Sequence, residues 1–237
     1  MRIGLFDSGL GGLTVLRELK YKYPNNEYIY FGDNKNLPYG SKTKEQLLEL
    51  SSNAVEFLLS KQVDIIIIAC GTASSTVYED LKQKYQIPIY DIITPTITYI
   101  NNSEYEKVGL IATEATIKSN KFKEKITKEL YEQSCPLFVP FIEGDKTIDI
   151  NKVLNEYLKE IKDLDAIILG CTHYPLLKDK IKNISNAKLI NMGTILANHL
   201  NITSSISKTN LYFSKFDNKL IDKVNNIIDF EYEIEGI

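Results

Sequence analysis

The sequence has few of the residues that build metal centres and disulfide frameworks. Its 237 residues include three cysteines and two histidines, His173 and His199. An odd number of cysteines, none in a Cys-x-x-Cys arrangement, is typical of a reducing compartment and argues against a disulfide framework or a structural zinc site. With only two imidazoles, we do not expect a metal site of the usual kind.

Long hydrophobic runs and a strong net charge are also absent. The longest apolar stretch, around Val63 to Ala69, is too short to span a bilayer and contains Asp64. Met1 and Arg2 lead directly into a predicted strand rather than into a basic, apolar leader, so we expect a cytoplasmic protein without a membrane partner. The formal net charge is −3 and the lysines are interspersed with acidic residues, a pattern that does not favour nucleic acid as a partner.

Apolar segments typical of β-strands alternate with amphipathic segments along the whole chain. This alternation predicts an α/β fold in which helical crossovers join parallel strands. The predicted strands cover residues 3–6, 28–32, 64–69, 88–91, 107–112, 137–140, 166–169, 188–191 and 210–213. The predicted helices cover residues 13–23, 44–60, 74–85, 115–133, 151–162, 176–184, 194–201 and 215–228.

One pattern occurs twice along the chain. The strand before Ser8 is echoed by the strand before Thr113, and at a similar distance beyond each of them an apolar run ends in a cysteine, Cys70 or Cys171. We therefore predict two pseudo-symmetric open parallel-sheet domains with the site in the cleft between them. Turn-rich segments at 94–96 and 203–207 predict the crossings, which gives a first domain of 1–95 plus 207–237 and a second of 96–206.

The two cysteines are the first candidates for chemistry. Each follows a predicted buried strand, and ligands of open α/β sheets bind outside the carboxyl ends of the strands. The alternative is that each thiol is a small buried hydrophobic group, as most unpaired cysteines are. The matched placement of Cys70 and Cys171 favours a shared site.

The glycine-rich segment from Asp7 to Thr14 follows the first strand. It lacks the spacing of a dinucleotide-binding loop, because Thr14 stands where the third glycine is needed. Its free backbone N–H groups beside Ser8 suit a carboxylate instead. Hydroxyl-rich turns at 72–75 and 113–116 have the same character, so we predict a small ligand with more than one anionic group.

Two further segments carry candidate residues. Pro38, Tyr39 and Gly40 lie in a polar loop, which is either an ordinary turn or a cover for the ligand to which Tyr39 supplies a hydroxyl. His173 follows Cys171 by two residues, and an imidazole near a thiol lowers the thiol pKa. A Cys-His hydrolase is the alternative chemistry for this pair, but it leaves the second cysteine without a role.

Taken together, four blocks resemble the signature of the glutamate racemase family, in the same order: residues 6–12, 38–40, 69–74 and 170–176. The resemblance covers about residues 1–190. It implies a cofactor-independent racemase that supplies D-glutamate for peptidoglycan, in which two α/β domains enclose the amino acid. One cysteine from each domain would act as acid or base on opposite faces of the α-carbon.

The resemblance also implies roles for individual residues. Cys70 and Cys171 would be the catalytic thiols, with Asp7 assisting Cys70 and His173 assisting Cys171. Glu143 resembles the acidic residue near the second thiol. The residues implied to bind the substrate are Ser8, Pro38, Tyr39, Gly40, Gly71, Thr72, Thr113, Thr116 and Thr172.

One position departs from the family pattern, because Gly71 stands where an Asn that contacts the substrate is usual. The departure leaves open a racemase of aspartate or another acidic amino acid, and a non-catalytic paralogue that binds such a ligand. If the contact is only weakened, Gly71→Asn should lower the KM for glutamate. A special turn that needs glycine is the other explanation. Whether the chain forms a homodimer is also left open.

Overall fold

Two parallel β-sheets organise the chain in the computed structural model, which describes residues 1–161, 163–203 and 206–237. The strands within these ranges are β1 (Arg2–Asp7), β2 (Glu27–Gly32), β3 (Ile65–Ile68), β4 (Ile89–Asp91), β5 (Lys107–Ala112), β6 (Glu129–Ser134), β7 (Ala166–Leu169), β8 (Lys188–Asn191), β9 (Lys208–Phe213) and β10 (Glu233–Gly236). One sheet has the order β10-β9-β2-β1-β3-β4, and the other has the order β6-β5-β7-β8.

The two sheets share one connectivity. Reading β2-β1-β3-β4 in the first sheet against β6-β5-β7-β8 in the second gives the same strand sequence, and all pairings are parallel. β3 pairs with β1 and ends two residues before Cys70, as β7 pairs with β5 and ends two residues before Cys171. The predicted pair of pseudo-symmetric parallel-sheet units is therefore confirmed.

Helices connect the strands and cover the sheets. They are α1 (Gly12–Lys22), α2 (Lys44–Ser60), α3 (Gly71–Thr76), α4 (Tyr78–Lys84), α5 (Ile93–Asn101), α6 (Glu114–Lys118), α7 (Phe138–Ile142), α8 (Ile150–Leu158), α9 (Lys178–Lys182), α10 (Met192–His199) and α11 (Asn218–Asn225). The long helix α2 shows why the prediction from sequence succeeds. Thr43 and Gln46 form a capping box at its start, and Leu47, Val55 and Leu58 bury one face.

Alternation along the central strands divides the core into layers. In β3, Ile65 and Ile67 belong to a core cluster shared by both sheets, whereas Ile66 and Ile68 pack in an outer cluster under α2. The shared cluster contains apolar residues of α1, α5 and α10, which lie between the sheets. Because one core spans both sheets, the boundaries 1–95 with 207–237 and 96–206 stay a prediction.

Two predicted elements were wrong, both after β5. Within the range 115–133, where one helix was expected, only the short α6 is an α-helix. The last residues of that range, from Glu129 onward, belong to β6. β6 is an edge strand that is only partly buried, so its polar sequence ELYEQS lacks the apolar signal of an inner strand. The strand expected over 137–140 is part of α7, where Phe138 packs edge-on against Tyr174 with ring centroids 5.1 Å apart.

Other differences lie at boundaries. The segment 94–96, expected as a crossing, lies inside α5, and the tail contains β10 in addition to the predicted strand and helix. The crossing expected over 203–207 includes Ser204 and Ser205, and the helix expected over 151–162 includes Lys162; these three residues lie outside the described residues. None of the described helices combines the length and the apolar character needed to cross a bilayer.

Candidate active site

A cavity of about 140 Å³ lies between the carboxyl ends of the two sheets. Ser8, the 38–41 segment and the 70–72 segment line it after β1, β2 and β3. The segments 113–114, 135–136 and 171–173 line it after β5, β6 and β7, and Leu37, Val139 and Pro140 complete the wall. The corresponding strand ends of the two halves therefore face one small cavity, as the duplicated sequence pattern predicts.

Both cysteines line this cavity, one from each sheet. Cys70 is the N-cap residue of α3, and its Sγ accepts a hydrogen bond from the backbone N–H of Ala73 at 3.5 Å. Burial, followed by the nearby Asp7 carboxyl, raises the pKa of the Cys70 thiol well above its ordinary value. Cys70 is therefore a neutral thiol in the resting site.

Cys171 has a different set of neighbours. Its Sγ lies 3.8 Å from Nδ1 of the buried His173, whose Nε2 lies 2.8 Å from Oε1 of Glu143. Burial alone would lower the pKa of His173, but the hydrogen bonds to Cys171 and Glu143 outweigh it and raise the pKa well above its usual value. His173 is therefore an imidazolium that faces a thiol or thiolate on one side and a carboxylate on the other.

Glu143 lies behind His173, outside the residues that line the cavity. Burial opposes its ionisation, but the hydrogen bond and charge of His173, together with Lys223, lower its pKa below the usual value. Its ionised carboxylate holds the imidazole ring in place.

Asp7 is fully buried and also lies outside the cavity lining. One carboxylate oxygen accepts from the backbone N–H of Gly9 at 3.0 Å, and the other accepts from the hydroxyl of Thr172 at 3.1 Å. Thr14 donates in turn to the carbonyl oxygen of Thr172 at 2.9 Å, so two hydrogen bonds join the first loop to the second cysteine turn. Burial raises the pKa of Asp7, and the charge of His173 opposes this shift.

The glycine-rich loop lies against the second half. A Cβ on Gly11 would collide with Nδ1 of His173 and Oγ1 of Thr172, so the loop can pack on the His173 turn only because this position has no side chain. The loop therefore has a structural role besides the anion binding that its sequence predicts.

Three of the predicted binding hydroxyls form a chain across the cleft. Thr72 and Thr113 have their Oγ1 atoms 2.9 Å apart, and Thr113 and Thr116 have theirs 3.0 Å apart. Thr72 and Thr113 line the cavity, whereas Thr116 lies behind Thr113. A carboxylate in the cavity could accept hydrogen bonds from this chain if its hydroxyl groups rotate away from one another.

Pro38, Tyr39 and Gly40 line the cavity, but the hydroxyl of Tyr39 is already used. It donates to a carboxylate oxygen of Asp33 at 2.8 Å, and Asp33 also accepts from Ser214 and Asn36. The proton of the Tyr39 hydroxyl is therefore not free for a ligand carboxylate, but the oxygen can still accept a hydrogen bond, and a binding role for Tyr39 stays a prediction. The segment Tyr39–Ser41 forms a short 3-10 turn that closes one wall.

Gly71 also lines the cavity, and its surroundings explain the absence of a side chain. A Cβ there would lie 2.7 Å from the carbonyl oxygen of Gly170, which immediately precedes Cys171. Gly71 is not among the residues with a positive φ, so close approach, rather than a special turn, requires glycine. The two cysteine turns therefore contact each other directly.

Several residues of the site were missed by sequence reasoning. Cys135 and Glu114 line the cavity, and Lys223 reaches Glu143 from α11. The apolar segment 137–139 follows Cys135 and is the one signal in the sequence that points to it. Lys223 lies in no recognisable motif. All three cysteines are free, and across residues 1–161, 163–203 and 206–237 no cluster of His, Cys, Asp and Glu side chains is arranged to hold a metal ion.

Fold, cavity and paired thiols together define an amino-acid racemase of the α/β type. Residues 14–200 match the family model described as Asp/Glu/Hydantoin racemase, and the chain belongs to this family. The resemblance stated from the sequence blocks is thereby confirmed.

Individual relatives are glutamate racemases. The enzyme of Hydrogenobaculum sp. (strain Y04AAS1) is 38% identical, and the match covers 100% of this chain and 96% of that one. The enzyme of Aquifex aeolicus (strain VF5) is 43% identical over 77% of this chain and 75% of that one. The crystal structure of glutamate racemase from Francisella tularensis in complex with D-glutamate superposes with a TM-score of 0.87 at 33% identity, covering 100% of this chain and 97% of that chain.

Proposed function

We propose that this protein is a glutamate racemase that interconverts L-glutamate and D-glutamate with its own two thiols and thereby supplies D-glutamate for peptidoglycan. The observation that carries the proposal is the placement of Cys70 and Cys171, one from each sheet, on a single cavity at matching strand ends. Full-length similarity to glutamate racemases supports glutamate as the substrate.

Inversion at the α-carbon needs two groups that act on opposite faces. One cysteine thiolate removes the α-proton and becomes a thiol, and the other thiol donates its proton to the opposite face and becomes a thiolate. The product leaves with inverted configuration, and the two sulfur atoms have exchanged protonation states. Proton exchange with solvent or the reverse reaction then resets the site.

The two thiols have different charged neighbours. Glu143 holds the His173 imidazolium, whose Nδ1 lies 3.8 Å from Sγ of Cys171, whereas burial beside Asp7 keeps Cys70 protonated. The reaction needs one thiolate and one thiol at a time, and the two directions of turnover start from opposite arrangements. Asp7 acts on Cys70 through its charge, and the Thr172 hydroxyl bond fixes its position.

Substrate binding is assigned to the polar groups on the cavity wall. Ser8, the Thr72 and Thr113 hydroxyls, Thr172 and nearby backbone N–H groups supply donors for the two carboxylates. Thr116 orients Thr113, and the segment Pro38 to Gly40 encloses the ligand. Donors aimed at the α-carboxylate also stabilise the carbanion that forms there.

Gly71 no longer favours the aspartate alternative. Its close approach to Gly170 accounts for glycine at this position without reference to the substrate. The proposed location remains the cytoplasm, and it rests on three cysteines that are all free.

A coupled assay tests the proposal. The purified protein is mixed with L-glutamate, without added cofactor, and D-glutamate is measured by a D-specific oxidase or by chiral chromatography. L-Aspartate is the parallel substrate. Formation of D-glutamate supports the proposal. Turnover of aspartate alone would replace it with the aspartate alternative, and binding of glutamate without turnover would support the non-catalytic one.

A further inference from the structure

Lys223 lies outside the cavity and has no part in the mechanism described so far. It belongs to α11, in the segment after β9 of the six-stranded sheet. Its Nζ donates to the backbone carbonyl oxygen of Glu143 at 2.7 Å and lies 3.5 Å from Oε2 of the same residue. Glu143 follows α7 on the side of the four-stranded sheet, so this contact joins the two halves.

Glu143 is the residue that holds His173. Its Oε1 lies 2.8 Å from Nε2 of His173, and Nδ1 of the same ring lies 3.8 Å from Sγ of Cys171. Lys223, Glu143, His173 and Cys171 therefore form one line of contacts that begins on α11 and ends at the reacting sulfur atom. The carboxylate of Glu143 uses one oxygen for each neighbour.

Glu143 lies at the end of a short helix, where its backbone N–H donates to the carbonyl oxygen of Val139. Helix α7 has five residues, and the next residue, Gly144, turns the chain away with a φ of 114°. A lysine that binds the last carbonyl group of such a short helix satisfies a free acceptor there. Its positive charge also interacts favourably with the negative end of the helix dipole. Lys223 holds both the main chain and the side chain of Glu143, so it fixes the carboxylate in space as well as in charge.

We propose that Lys223 is a positioning residue for the racemase reaction, which holds the Glu143 carboxylate against His173 and so keeps the imidazole ring in place beside Cys171. The role of Lys223 in racemisation rests on the proposed function. The link from Lys223 to His173 rests on the geometry alone. Because the contact crosses between the halves, separation of α11 from α7 would release Glu143.

Other charged groups surround this line of contacts. Lys215, Asp217 and Lys219 line a cavity of about 180 Å³ together with Lys223 and Glu143, and Asp7 acts electrostatically on His173 from the first sheet. Lys219 lies one helical turn before Lys223 on α11. No described contact joins Lys219 to Glu143, so Lys219→Met removes the same charge from the same cavity and is the matched control.

The test uses the small number of histidines. His199 is exposed, and His199→Gln leaves His173 as the only imidazole in the full chain. In this background, nitrogen-15 NMR of the ring follows His173 as the pH changes. We expect Lys223→Met to lower the pKa of His173, because a released carboxylate no longer stabilises the imidazolium. Lys223→Arg and Lys219→Met should leave the titration as it is in the parent protein.

Kinetics give the second measurement. Lys223→Met should reduce kcat several-fold with little change in KM, because Lys223 does not line the substrate cavity. Lys223→Arg should restore most of kcat. A merely structural lysine would change the melting temperature without moving the His173 titration or separating kcat from KM.

The opposite results overturn the inference. A rise in the pKa of His173 in Lys223→Met would mean that Lys223 only repels the imidazolium, and an unchanged pKa would mean that Glu143 needs no support. If Lys223→Met does not fold, Lys223→Gln, whose shorter uncharged side chain cannot reach Glu143, takes its place with the same expected fall. Absence of racemisation by the unmutated protein would contradict the proposed function, whereas the titration would still decide the role of Lys223.

Discussion

Gly71 lies so close to Gly170 that a Cβ on Gly71 would be 2.7 Å from the Gly170 carbonyl oxygen. The residue after Cys70 thus lies against the residue before Cys171. Since the obstacle is backbone rather than a flexible side chain, a larger residue at position 71 must displace one of the two cysteine turns. This corrects the expectation that an amide at position 71 would simply add a hydrogen bond to the substrate.

We therefore expect both Gly71→Ala and Gly71→Asn to lose stability, by about 1–3 kcal/mol, as is common for overpacked sites. Both should also lose activity, because Cys70 and Cys171 move relative to each other. Thermal denaturation and racemase assays on the two variants check this. The alanine variant is the control that adds a Cβ without an amide. A lower KM for glutamate in Gly71→Asn, with an unchanged melting temperature, would contradict the steric argument.

The paired thiols give the second prediction. Cys70→Ser and Cys171→Ser should each reduce kcat/KM by about 10²–10⁴-fold, because a serine hydroxyl is too weak an acid to exchange protons as a thiol does near neutral pH. Cys135→Ala is the matched control, since this buried third thiol lines the same cavity without a proton-transfer role in the mechanism. Circular dichroism should show that all three variants fold. Equal losses in all three would mean that the reacting thiols are wrongly assigned.

Solvent exchange gives the third. In deuterated water, D-glutamate formed from L-glutamate should carry deuterium at the α-carbon from the first turnovers, because the thiol that returns the proton has exchanged with solvent. Proton NMR or mass spectrometry of the product under initial-rate conditions measures it. Product that keeps the original α-proton would require a single group that removes and returns the same proton.

Elements with a clear local signal in the sequence are predicted best. The apolar runs of β5 and β7, the edge strand β8 and the capped helix α2 all have the predicted bounds. β6 was missed because an edge strand needs only one partly buried face, and α7 was mistaken for a strand because a short apolar run has no readable period. Neighbouring elements, rather than local preference, determine both.

The same distinction applies to the site. Cys70, Cys171, His173 and Asp7 lie in motifs at strand ends. Parallel-sheet topology brings such ends to one edge of each sheet, and the packing of the two sheets brings those edges together. The contact from Lys223 to Glu143 depends on the packing of α11, in the last part of the chain, against α7. No spacing in the sequence predicts that contact. Likewise, the sequence does not predict the bond from Tyr39 to Asp33, by which a residue on the cavity wall also stabilises the fold.

The last prediction concerns the cost of burying Asp7. Burial raises its pKa, so the charged form of Asp7 destabilises the folded protein at any pH above the folded-state pKa. Asp7→Asn is neutral and can still accept from the Gly9 N–H while donating to the Thr172 hydroxyl. We expect this variant to melt higher, by about 2–4 °C for each kcal/mol gained, and to racemise more slowly because Cys70 loses its charged neighbour.

The pH dependence fixes the sign of that effect. For a carboxyl group whose folded-state pKa is raised, the favourable contribution to stability is fully present below the unfolded-state pKa and is lost as the pH rises through the folded-state value. The difference in melting temperature between Asp7→Asn and the parent protein should therefore be largest above the folded-state pKa of Asp7, and it should shrink as the pH falls through that value towards the unfolded-state pKa. Calorimetry across this range measures it. A lower melting temperature of Asp7→Asn near pH 8 would show instead that the attraction between Asp7 and His173 outweighs the cost of burial.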